Sequence, residues 1–209
     1  MEFIAHRINT LEQLSQVPVE WGVEIDIRDW GERLILQHDP FVEGEDLEPF
    51  LAAYRHGTLI LNIKSERIEH RVLERIHHHG IQNYFFLDSS FPMIVLLSKR
   101  GERNCALRYS EFEGLDTILA MQGRVNWVWV DCFTRLPIDR GSFQRLKSAG
   151  FKLCLVSPEL QGRPEDIEAY RHELWAQGIV FDAICTKQLN VPLWMGLAPV
   201  LTNEAFDVR

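Results

Sequence analysis

Two histidines, two carboxylates, an arginine and a lysine each sit at or near the end of a short apolar run in this chain. Phe3-Ile4-Ala5 leads into His6-Arg7, and Val23-Glu24-Ile25-Asp26-Ile27-Arg28 carries two acids. Leu34-Ile35-Leu36-Gln37 delivers His38-Asp39, and Leu59-Ile60-Leu61-Asn62-Ile63-Lys64 ends in an amide and an amine. If these runs are strands, alternate side chains share a face, so Glu24, Asp26 and Arg28 point one way, as do Asn62 and Lys64. Two carboxylates that close need a proton or a cation between them. Hard oxygen ligands of this kind suit Mg²⁺ or Ca²⁺ better than zinc. A lysine within the same wall is sensible only beside carboxylates or a phosphate. Taken together, the set has the parts for metal-assisted phosphoryl transfer with histidine acid/base catalysis.

Such residues need elements that bring them to one place. Runs rich in β-formers fall at 3–6, 23–28, 34–38, 59–64, 84–88, 105–109, 127–132, 152–156 and 183–186. Helical patterns lie between most of them, at 11–16, 47–54, 67–78, 92–100, 115–121, 140–148 and 164–177. The last is well marked, with Pro164 in its first turn, Glu165 and Asp166 after it, and Gly178 past its end. Repeated strand–helix alternation predicts an α/β fold with a mainly parallel sheet. With 34–38 counted as a hairpin partner of the second strand, eight strands remain. That is the number for a compact (β/α)8 TIM barrel, expected as a single domain over residues 1–209, with its site at the C-terminal ends of the strands.

Composition narrows the class further. The chain has 209 residues, 46% apolar and 25% charged, which is ordinary globular usage. A net charge of -8 argues against broad affinity for nucleic-acid backbones or anionic lipid. No apolar run is long enough to span a membrane, and no signal peptide is visible at the start. Cys105, Cys132, Cys154 and Cys185 each lie in an apolar stretch without CxxC spacing, which predicts buried, reduced thiols and a cytoplasmic protein. No two of the thirteen glycines are closer than nine positions, so neither GxGxxG nor a P-loop exists. Any phosphate must be handled by side chains.

The order HR, then ExD, then HD, then a strand-end lysine resembles the glycerophosphodiester phosphodiesterase family, within the barrel superfamily that includes phosphatidylinositol-specific phospholipases C. The segments that carry the resemblance are Ile4-Ala5-His6-Arg7, Asn9-Thr10, Val23-Glu24-Ile25-Asp26, Gln37-His38-Asp39 and Leu61-Asn62-Ile63-Lys64, all in the N-terminal third. The resemblance implies His6 and His38 as the paired acid and base, and Glu24 and Asp26 as ligands of a weakly held Mg or Ca ion. It implies Arg7 and Lys64 as phosphate contacts, and a small-molecule phosphodiester as substrate. Asn62 stands where the family has a third metal carboxylate; its carbonyl can still coordinate a hard cation, with one charge fewer. Ile8 replaces the family's glycine after HR, and only 39–58 separates HD from the next strand, so the family's inserted subdomain is trimmed away. The alternative reading is a catalytically degenerate barrel that binds a phosphorylated ligand or a partner protein.

Beyond that third, Asp88, Arg108, Ser110, Asp131, Ser157 and Lys187 follow later strands, and Asp88 or Asp131 is a candidate for the missing carboxylate. Bonding to loop backbone is the default for each. His77-His78-His79 ends a helix, where histidine favours the negative end of the dipole. Trp127 and Trp129 share a strand face as expected core. The apolar stretch 191–197 is expected to cap the helix layer, line the mouth or form a dimer contact.

Overall fold

The computed structural model describes residues 1–197; residues 198–209, counted in the expected single domain, lie outside it. The first strand, β1 (Glu2–Ala5), leads through α1 (Leu11–Ser15) to β2 (Gly22–Trp30). An antiparallel ribbon follows, made of β3 (Arg33–Leu36) and the two-residue β4 (Glu45–Asp46). The alternation then runs α2 (Leu47–Ala53), β5 (Leu59–Ile63), α3 (Glu69–His78), β6 (Tyr84–Leu87), α4 (Phe91–Lys99) and β7 (Ala106–Tyr109). It ends with α5 (Leu115–Ala120), β8 (Trp127–Val130), α6 (Arg140–Ser148), β9 (Lys152–Val156), α7 (Ile167–Ala176), β10 (Ala183–Thr186) and α8 (Val191–Trp194).

Eight of these strands form one curled parallel sheet in the order β6-β5-β2-β1-β10-β9-β8-β7, and the β3–β4 ribbon branches antiparallel from β2. The first and last strands pair fully, from Glu2 with Ala183 to Ala5 with Thr186. The outer edges of β6 and β7 meet at one parallel bridge, Phe86 with Cys105, and Phe86 N–H donates to the Asn104 carbonyl at 2.8 Å. The mixed α/β architecture matches the expected rhythm.

Two layers of apolar side chains explain the curl. One face of the strands packs on the helices through residues such as Ile25, Leu61, Phe86, Val128 and Leu155. The other face fills the hollow of the sheet with Ile4, Ile60, Phe85, Trp127, Trp129, Cys154 and Cys185. Trp127 stacks on Phe85 with ring centroids 4.5 Å apart, so the paired tryptophans are core. All four cysteines are free and buried, as their apolar settings predict.

One local departure from the expected elements has a simple cause. The helix expected from Pro164 starts as a 3-10 turn, Pro164–Asp166, and becomes α-helical at Ile167. Arg163 pins that turn by pairing with Asp166 at 2.8 Å while donating to the carbonyls of Cys132 and Phe133. Residues 191–194 form α8, which caps the helix layer with Trp194 buried. Among the described residues no helix is long and apolar enough to cross a membrane.

Candidate active site

Strand parity builds the site. The hollow-facing positions of each strand, continued past its C-terminal end, give His6 after β1, Glu24 and Asp26 on β2, Asn62 and Lys64 at the end of β5, and Arg108 on β7. Glu24 pairs in register with Ile60 and Asp26 with Asn62, which puts both acids on the wall that Ile60 shares. Each acid is only 1% exposed. An apolar hollow thus carries a buried pair of carboxylates on one wall, a costly arrangement unless each oxygen is met.

Nearly every oxygen is met, by groups the chain has to bend to supply. Arg7 adopts φ +57°, in the left-handed region, and its backbone N–H donates to Glu24 Oε2 at 2.7 Å. Asn62 Nδ2 donates to Glu24 Oε1 at 2.7 Å. Asn9 holds Asp26 twice, accepting its backbone N–H at Oδ1 (2.8 Å) and donating from Nδ2 to Oδ2 (2.9 Å). The Arg7 guanidinium and the Lys64 ammonium approach Asp26 at 3.6 Å each. Burial, reinforced by the neighbouring Asp26, pushes the Glu24 carboxyl up to about 7.

His6 Nε2 lies 3.8 Å from Glu24 Oε2. Burial, helped by the Arg7 charge, pushes its imidazole down to about 4, so it is neutral at pH 7. His38 faces Asp39, with Nδ1 and Oδ1 2.7 Å apart, and that bond holds the Asp39 carboxyl below its usual range. The two histidines therefore differ, one desolvated and neutral, the other part-exposed beside an anion.

Arg28 shares the acids' parity but does another job. Its side chain donates to the carbonyls of His38 (2.7 Å from Nη2) and Lys64 (2.9 Å), clamping two strand ends together. On the far side, Asp88 and Asp131 are taken by cations rather than by loop backbone alone. Lys64 approaches Asp88 at 3.3 Å, Arg108 bonds both Asp88 and Asp131, and Gln161 donates to Asp131 at 2.7 Å. Ser157 belongs to a network absent from the sequence reading. Glu159, largely buried, accepts from Thr186 Oγ1 (2.6 Å) and Lys187 N–H (3.0 Å) and is bonded by the Ser157 hydroxyl, which accepts from Trp194 Nε1 at 2.7 Å.

The donor set fits a hard cation. The buried Asn62 Oδ1 has no hydrogen-bond partner among the described residues. An unpartnered buried oxygen on the amide that already touches the Glu24 carboxyl is the kind of acceptor a hard cation satisfies. A different cluster, Glu48 with His78 and His79, lies on the outer helices away from this mouth.

Solved structures of similar shape have one activity in common. The glycerophosphodiester phosphodiesterase from Agrobacterium tumefaciens str. C58 superposes with a TM-score of 0.65 at 15% identity, over 93% of this chain and 99% of that one. A glycerophosphoryl diester phosphodiesterase from Parabacteroides distasonis matches with a TM-score of 0.67 at 15% identity, over 98% of this chain and 89% of that one. The chain shares its fold with these two phosphodiesterases. A phosphodiesterase from Oleispira antarctica, solved with the product sn-glycerol-3-phosphate, matches with a TM-score of 0.58 at 17% identity, over 88% and 92% of the two chains. No family model and no curated protein matches the sequence.

Proposed function

We propose that this chain is a phosphodiester hydrolase of the glycerophosphodiester phosphodiesterase type, cleaving a small polyol or glycerol phosphodiester at the mouth of a closed (β/α)8 barrel. The single bridge between Phe86 and Cys105, where the edges of β6 and β7 meet, supports that closure. The observation that carries the reading is neutral His6 beside the buried Glu24–Asp26 pair, next to the orphaned Asn62 oxygen. Glu24, Asp26 and Asn62 would hold Mg²⁺ or Ca²⁺, which when bound stabilises charge on phosphoryl oxygens.

The chain's own groups divide the remaining work. His6, uncharged at Nε2, takes the proton from the attacking hydroxyl. His38, held by its bond to Asp39, gives a proton to the leaving oxygen. Arg7 and Lys64 orient the phosphate from opposite sides of Asp26. The test is hydrolysis of glycerophosphodiesters with Mg²⁺, Ca²⁺ or EDTA. His6→Ala and His38→Ala should each cut turnover by about 10²- to 10⁴-fold while the melting profile survives. Near-normal hydrolysis by either variant rejects the assignment.

One observation favours a second reading, a barrel that binds a phosphorylated ligand without turnover. Lys64 already stands between Asp26 and Asp88, where it partly neutralises the acids that a metal would use. Binding of a glycerophosphodiester with no hydrolysis under any metal condition would select it.

A further inference from the structure

On the outside of the sheet, α2 and α3 place two imidazoles and a carboxylate together. His79 Nε2 lies 2.9 Å from Glu48 Oε1, and the ligand atoms of Glu48, His78 and His79 all fall within 4.8 Å of one another. The His78 ring stands nearly perpendicular to that of His79, at 88° and 5.1 Å between centroids. Arg75 engages the other oxygen of Glu48, at 3.6 Å, which leaves Oε1 turned toward the histidines. A helix dipole explains one histidine at a C-terminus; it does not explain a carboxylate from a neighbouring helix meeting two.

We propose that Glu48, His78 and His79 form a binding site for a borderline transition-metal ion, Zn²⁺ foremost, that braces α2 against α3. Two imidazoles and one carboxylate are the donor set that zinc accepts with a water in fourth place, at bonds of about 2.0–2.2 Å. His78 is exposed and Glu48 about half so, whereas His79 is largely buried and already bonded to Glu48, so closing onto such bonds asks movement of His78 above all. The mouth, with oxygen donors alone, prefers harder ions, so the two sites sort cations by softness. The brace also has a place in the architecture. The two helices flank β5, the strand that carries Asn62 and leads to Lys64.

The experiment is zinc titration of the full chain without an affinity tag, by calorimetry and by melting, with Co²⁺ absorption reporting a tetrahedral N/O site. One equivalent should bind, and the melting temperature should rise at about 10 μM zinc, because an ion that binds only the folded state stabilises it. Glu48→Gln, His78→Ala and His79→Ala should each weaken binding at least about tenfold, as loss of one ligand in three requires. His77→Ala, one residue outside the cluster, should not. Glu48→Gln can still hydrogen-bond to His79, so it tests ligation even if His79→Ala disturbs packing; metal-free melts of each variant show which applies. Equal loss in His77→Ala would reduce the site to a loose histidine tract. Loss in Asp26→Asn instead would move the ion to the mouth, and absence of stoichiometric binding would end the proposal.

Discussion

The Asn9 carboxamide grips Asp26 at both ends, accepting from its backbone N–H at 2.8 Å and donating a hydrogen bond to its carboxylate at 2.9 Å. One side chain from the β1–α1 connection thereby fixes both the height of β2 at the mouth and the rotation of its acid. Asn9→Ala leaves a buried carboxylate short of a donor and an amide short of an acceptor. Unfolding free energy should fall by about 1–3 kcal/mol in a denaturant titration, the cost of orphaning buried polar groups. Metal affinity should fall with it, because Asp26 loses its fixed orientation. An unchanged denaturation midpoint would show that water replaces Asn9.

Asn62→Glu restores a third carboxylate beside Glu24. Mg²⁺ or Ca²⁺ affinity should rise at least about tenfold by calorimetry, since charge count sets affinity at oxygen sites. In EDTA the same variant should melt below the parent protein, with three acids and no ion to hold them apart. If affinity does not move while Asp88→Ala abolishes binding, the third carboxylate comes from the β6 loop.

Acid stability follows from two opposed shifts. His6 titrates lower folded than unfolded, about 4 against 6.5, so its contribution is complete above pH 6.5 and is lost as pH falls toward 4. Glu24 titrates higher folded than unfolded, about 7 against 4.5, so its contribution is complete below pH 4.5 and is lost as pH rises toward 7. Between pH 4.5 and 6.5 the two slopes oppose each other, and the metal-free protein should show little pH dependence from this pair. Glu24→Gln removes one of them. In that variant stability should climb with pH over the same window, and a flat profile would show that His6 is not desolvated.

The alternation of β-formers and amphipathic segments made the α/β rhythm legible, because period alone distinguishes the two kinds of element. β4 escaped it: Glu45-Asp46 has no β-former, and the pairing with Ile35 and Leu36 exists only in three dimensions. Parity placed Glu24, Asp26, Asn62 and Lys64 on common walls and Arg28 with the acids, but it carries no sign that the long Arg28 side chain turns to two backbone carbonyls. Asn9 was part of the motif, but its grip on Asp26 depends on the left-handed turn at Arg7, which no propensity announces. Glu159 and Glu48 were invisible for the same reason: each matters through partners distant in sequence.

The thin join between β6 and β7 has a consequence for how the molecule breathes. One bridge holds the backbones there, whereas β1 and β10 pair along their full length. Asp88 follows β6 and Arg108 lies on β7, so their ion pair crosses the join and works as a latch made of side chains. Such a latch, part-exposed, weakens with salt where a backbone ladder does not. Deuterium should therefore enter residues 84–87 and 106–109 faster as ionic strength rises, with 2–5 and 183–186 unchanged. The charges that shape the mouth would then also set the rate at which the β6 and β7 edges part.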